Sequence, residues 1–313
     1  MKHIRHQADD RSATDGTSLD GLPTEAGGEP AADYDLRSTL ELVELMNAED
    51  ETVPAAVGAE AHAIAAAVDA ISDRLQRGGR LIYVGAGSSG RIAALDASEC
   101  ETTFSTPQGK VVTLLAGSVE APASEQDAAE DDRDAGAVDV AALEVSSDDA
   151  VVAVSASGRT PYVLGAIEAA SEAEALTVCI VSVRDSELAR LVDHEVAVVV
   201  GPEFLAGSTR LKAGTAQKLV LNTLSTISMI RLGKTFGNLM VDVNATNEKL
   251  RARVRRIVRT ATGASPEQVD EALTAADGEA KVAIVSLLAR IDATQARARL
   301  DEAGQSIRLA LGR

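Results

Sequence analysis

Apolar and polar positions along the chain follow two periods, and the switches between them mark out the elements. Leu40, Leu42, Val43 and Met46 recur at helical spacing behind Ser38-Thr39, which predicts a helix closing at about residues 47–50. An alanine-rich stretch over about 54–76 predicts a second helix. Short apolar runs then follow at 81–84, 111–115, 150–154, 176–181 and 195–200, each read as a buried strand. Residues 121–134 read as an acidic helix on which Asp127, Glu130 and Asp131 share one face, and residues 201–212 open a long helix running to about Leu232. Residues 238–251 have an apolar half and an amide-rich half with Asn244 and Asn247. Beyond them three short amphipathic helices are expected, with Val282, Ile284, Val285, Leu287, Leu288 and Ile291 as a core stripe.

Strands alternating with helices predict an α/β fold, a parallel five-stranded sheet flanked by helices. The expected division is a largely disordered N-terminal arm over 1–37, a main domain over 38–251 and a small C-terminal three-helix domain over 252–313. The arm is rich in Asp, Gly, Thr, Glu and Pro, with no apolar period.

Composition narrows the partners. Asp and Glu number 48 against 30 Lys and Arg, a formal charge of −18, which argues against nucleic acid because phosphate-backbone binding needs a basic face. No stretch resembles a membrane span or a secretory leader, so a cytoplasmic location is expected. Cys100 and Cys179 are too far apart in sequence for a metal or disulfide framework and are expected to be buried small side chains. His62 and His194 are the only histidines outside the arm, so no metal site is expected.

Candidate chemistry gathers in two loops. Gly85-Ala86-Gly87-Ser88-Ser89-Gly90 fits the dinucleotide pattern G-x-G-x-x-G, but the next strand ends in Ala116-Gly117-Ser118 with no acid at its tip to hold a ribose. Ser88 and Ser89 can instead donate to a terminal phosphate beside the N–H groups of a helix start. A glycine turn that merely joins strand to helix remains the plain alternative for that segment alone. The second loop, Ser155-Ala156-Ser157-Gly158-Arg159-Thr160-Pro161, is of the same kind: Thr160 is placed to cap the next helix, and Pro161 suits its first turn. Two such loops at the ends of parallel strands can converge on one phosphosugar. Ser208 and Thr209 are further cap or phosphate candidates, with Arg210 and Lys212 adding charge at the same helix end.

These segments resemble a known family. GAGSSGR at 85–91, LDASEC at 95–100, SASGRTPYV at 155–163, GSTRLKAGTAQKLVLN at 207–222 and GNLMVDVNATNEKLR at 237–251 are similar to those of the N-acetylmuramic acid 6-phosphate etherases, enzymes of the sugar isomerase (SIS) fold. The resemblance implies a cofactor-independent lyase, a homodimer, that removes D-lactate from the sugar's 3-position with water and leaves N-acetylglucosamine 6-phosphate. It implies Glu99 as the proton donor and Glu130 as the base, while Ser88, Ser89, Ser155, Ser157 and Thr160 are phosphate candidates from the physics of their loops, with Ser208 and Thr209 as lesser ones. Glu203 is a weaker candidate for ring opening. The chain departs from the family pattern at Ser88, usually threonine, and at Glu101-Thr102, usually Pro-Pro. A non-catalytic phosphosugar-binding regulator on the same fold, similar to the glucokinase regulatory proteins, is the alternative, and an aldose-ketose isomerase is a third.

The acidic, lysine-poor surface predicts a need for screening salt. Thermal unfolding in dilute buffer and at ~1 M KCl, where the Debye length falls to about 3 Å, should give a clearly higher midpoint in salt. An unchanged midpoint contradicts that reading.

Overall fold

The computed structural model describes residues 33–117, 128–243 and 248–312. The expected arm, apart from its last residues, lies outside them, as do Asp127, Asn244 and Asn247. Tyr34–Leu36 form a single helical turn. Helix α1 (Thr39–Asp50) starts at a capping box in which Ser38 and Glu41 satisfy each other's backbone N–H. The second predicted helix is two, α2 (Val53–Ala59) and α3 (Ala61–Gln76), broken at Glu60. Glycine and a proline in the short first piece weaken any continuous helix there.

Five strands, β1 (Leu81–Gly85), β2 (Val111–Leu115), β3 (Ala150–Val154), β4 (Leu176–Val181) and β5 (His194–Ala197), form one parallel sheet in the order β2-β1-β3-β4-β5. The parallel α/β expectation holds. Two details differ. β2 is half-buried because it is an edge strand, and β5 stops three residues early. Helices α4 (Gly87–Phe104), α5 (Arg133–Ala142), α6 (Pro161–Glu172) and α7 (Lys212–Arg231) cover the sheet. Side chains alternate across it. Leu81 and Tyr83 pack with α3, α4 and α7 on one face, while Ile82 and Val84 pack with α5 and α6 on the other.

The acidic helix predicted over 121–134 is not continuous: a turn at Asp131 separates Glu130 from α5, and the Asp132 carboxylate accepts the Ala135 N–H as a new N-cap. A competing cap inside an acidic run was the signal that periodicity alone does not weigh. At the amino ends of the strands Arg80 ties β1 to β3, donating from its backbone N–H and guanidinium to Asp149. Burial works against the Asp149 charge, but those donors and the Ser146 N–H win, and the carboxyl lies below its ordinary range.

The hairpin β6 (Thr235–Phe236) and β7 (Leu239–Met240) leads to α8 (Glu248–Thr262), α9 (Pro266–Ala275), α10 (Ala280–Ala289), α11 (Ala293–Glu302) and the short α12 (Ile307–Ala310). Where three helices were expected there are five, and the boundary expected after residue 251 cuts through α8. These helices close their own apolar cluster around Val258, Val282, Ile284 and Leu300. Lys281, buried there, pairs with Asp242, which also takes Lys234.

The strand-to-helix turn after β1 depends on absent side chains. A Cβ on Gly90 would lie 2.2 Å from Leu115 Cδ1 and 2.8 Å from the Gly85 carbonyl oxygen. One of those contacts is backbone and cannot give way. Gly90→Ala should therefore destabilise the fold by about 1–3 kcal/mol, read as a lower urea midpoint with an unchanged slope. A neutral result contradicts the packing described.

Candidate functional site

The strand order places the fold's crossover reversal between β1 and β3, and open α/β sheets hold ligands in the crevice beyond the carboxyl ends of such strands. Both serine-rich loops leave the sheet there. After β1 the chain turns at once into α4, so Ser88 and Ser89 occupy its first turn, half-buried. The N-cap, Ala86, has no side-chain acceptor, which leaves the helix start to bind an anion.

After β3, Thr160 is the N-cap of α6, yet its side chain does not cap the helix as expected. Its hydroxyl turns into the crevice instead. The Gly158 N–H donates to Ser155 Oγ at 3.1 Å, Ser155 Oγ and Thr160 Oγ1 are 2.9 Å apart, and Thr160 Oγ1 donates to Glu130 Oε1 over 3.5 Å. With Thr160 donating to the carboxylate, Ser155 must donate to Thr160, so the chain of hydrogen bonds runs one way and ends on Glu130. Gly158 has φ +63° and sits against Ser186, a place where a side chain would collide. Ser157, half-buried, accepts the Arg159 N–H at 3.3 Å.

Glu130 also touches the first loop. Its Oε2 is 3.7 Å from where a Cβ of Gly87 would be. One half-buried carboxylate therefore lies against both loops, and the two uncapped helix starts share its crevice. Of the residues singled out from the sequence, Ser88, Ser89, Ser155, Ser157, Thr160 and Glu130 belong to the segments that meet here.

Glu203 and Lys212 have other duties. Helix α7 begins later than expected, at Lys212, and neither Ser208 nor Thr209 caps it. Buried Glu203 does, accepting from the Lys212 and Ala213 N–H groups at 2.8 and 3.0 Å. Both its oxygens are committed to the helix start, a poor position for ring-opening chemistry. Buried Lys212 gives its charge to Glu49 of α1 at 2.5 Å, so it is not a spare cation for phosphate.

Family comparison agrees with this architecture. The glucokinase regulatory protein N-terminal SIS domain matches residues 63–171, and the SIS domain matches residues 132–227. An N-acetylmuramic acid 6-phosphate etherase from Streptomyces avermitilis is 56% identical over 94% of this chain and 94% of its own length. The etherase from Streptomyces coelicolor is 55% identical over 99% and 98%, and that from Rubrobacter xylanophilus 56% over 94% and 97%. The chain belongs to the N-acetylmuramic acid 6-phosphate etherase family.

Within the etherase motif DASEC the side chains divide. Asp96 is buried and accepts from Tyr83 Oη at 2.8 Å, Asn222 Nδ2 at 2.5 Å and Ser225 Oγ at 3.1 Å, so it bolts α4 to β1 and α7. Sequence reasoning passed over it; its signal was a lone acid on the apolar face of a helix. Burial pushes the Tyr83 hydroxyl well above its usual value, and the Asp96 charge adds to that. Cys100, one turn on, is buried as expected, and burial lifts its thiol to about 12, which keeps it inert at neutral pH. Glu99, one turn on from Asp96, is exposed.

Thr160 gives the site a direct check. Thr160→Val removes the hydroxyl with little change of shape, and should weaken binding of a phosphosugar by about tenfold while leaving the thermal midpoint within about a degree. Unchanged binding contradicts the placement of Thr160 in the cradle.

Proposed function

We infer that this chain is an etherase that cleaves D-lactate from N-acetylmuramic acid 6-phosphate with water, giving N-acetylglucosamine 6-phosphate. The observation that carries it is more than 50% identity to etherases over nearly the whole of both chains. The site chemistry fits that reaction. In the ring-opened sugar the C2 proton is acidic because it lies α to the aldehyde. Glu130 takes that proton, Glu99 protonates the lactate oxygen as its bond to C3 breaks, and water adds at C3 of the unsaturated aldehyde. Two carboxyls must hold opposite protonation states for this sequence, which calls for different surroundings. Glu130 is half-buried and hydrogen-bonded to Thr160, and Glu99 is exposed on a helix.

The phosphate is held by Ser88, Ser89, Ser155, Ser157 and Thr160 with the two helix starts. The enzyme works as a homodimer in the cytoplasm, where its negatively charged substrate is retained. Among the described residues no single helix is long and apolar enough to cross a membrane. The match to a glucokinase regulatory protein domain keeps a second reading in view, a regulator that binds phosphosugars without turnover. Both glutamate positions are filled here, which favours the etherase.

Incubation with N-acetylmuramic acid 6-phosphate should release D-lactate, and Glu130→Gln should lower kcat by about two orders of magnitude or more. Tight binding of the phosphosugar with no lactate release would support the regulator instead.

A further inference from the structure

We propose that the cavity between the end of α4 and the C-terminal helices binds inorganic phosphate, at an anion site separate from the cradle.

The cavity, of about 490 Å³, lies where two parts of the molecule meet. Ser105, the C-cap of α4, lines it from the sheet domain, while Asp242, Arg251 and the residues that start α10, Glu279 to Lys281, line it from the C-terminal side. Asp242 and Arg251 belong to the family-like stretch 237–251, which has no part in the cradle. Ser105 follows Gly87 by the whole of α4, and at 1.5 Å per residue that sets it about 27 Å along the helix axis from the first loop.

Positive charge collects here against the run of the chain. The sequence has a formal charge of −18 and only seven lysines, yet two of the seven, Lys234 and Lys281, meet on Asp242 Oδ2, each at 2.8 Å. Lys281 is 4% exposed. One carboxylate does not neutralise two ammoniums, and excess charge in a desolvated place is unfavourable without a counterion. Burial holds the Lys281 ammonium below its usual range; Asp242 opposes that, and the neighbouring Lys234 adds to it.

The other acids at the cavity are already committed. Asp277 and Glu279 pair with Arg297 at 3.5 and 2.7 Å. Arg251, exposed, has no ion-pair partner among the described residues. With Lys234, Arg251, Lys281 and Arg297 against Asp242, Asp277 and Glu279, the balance is positive.

Neutral donors meet at the same place. Glu279 is the N-cap of α10 but its side chain makes no capping bond, so the first N–H groups of a ten-residue helix lack that acceptor. The Ser105 hydroxyl is buried and has no hydrogen-bond partner among the described residues. A phosphate presents three strong acceptor oxygens, enough to serve a helix start, a hydroxyl and an under-neutralised ammonium together. Bound there, it ties the C-terminal helices to the end of α4.

Calorimetric titration of inorganic phosphate into the full chain at constant ionic strength tests this. Wild type should bind phosphate in the cavity, and Lys281→Met, which leaves Lys234 and Asp242 as a balanced pair, should weaken that binding by about tenfold or more. Arg251→Ala, on an exposed helix face, should weaken it by about threefold and decides the matter if Lys281→Met does not fold. Thr160→Val separates the cradle from the cavity, because any phosphate held by the cradle responds to it and the cavity's phosphate does not. Phosphate binding that Thr160→Val weakens and both Lys281→Met and Arg251→Ala leave unchanged overturns the proposal, as does a wild-type chain that binds no phosphate. These titrations use no etherase substrate, so either overturning result leaves the etherase reading standing.

Discussion

A single carboxylate, that of Glu130, is the point on which the site turns. It lies between a glycine after β1 and a threonine after β3, and the hydrogen bonds from Gly158 through Ser155 and Thr160 give it a fixed orientation. The parallel sheet makes this contact available: adjacent strands in one direction deliver both loops to one edge, and the order β2-β1-β3 opens a crevice between them. The Arg80–Asp149 pair holds the opposite ends of the same two strands in register. The loops can therefore end in uncapped helices, because the rest of the sheet supplies the order that caps would otherwise give.

Most of the architecture was legible from apolar runs. Residues 150–154 and 176–181 were bounded to the residue, since an apolar strand in a parallel sheet has no competing period. The losses came where a local polar contact outcompetes periodicity. Asp132 recruits a backbone N–H and ends the acidic helix early, and Glu203, nine residues upstream, takes the cap that Ser208 or Thr209 was expected to supply. Thr160 shows the reverse: at a textual N-cap position its hydroxyl prefers a neighbouring carboxylate. Cap rules see only sequence neighbours, and the outcomes at Glu203 and Thr160 are set by groups that folding brings close.

The site was legible in part for the same reason. Hydroxyls in glycine loops announce themselves, and the sheet brings them together. The position of Glu99 relative to Glu130 was hidden, because a motif gives residue type and spacing without direction. Only the continuous α4, seated at Gly90 and held through Asp96, gives that spacing a direction. Asp96 and Glu99, three residues apart in one motif, accordingly serve different ends: one fixes the helix to its own sheet, the other is displayed outward.

A crystal structure of the protein with N-acetylglucosamine 6-phosphate tests the placement of this site. The phosphate should lie within hydrogen-bond distance of Ser88, Ser89 and Thr160, with C2 beside Glu130. A phosphosugar seated elsewhere, such as the cavity of about 490 Å³ lined by Ser105, Asp242 and Lys281, would contradict it.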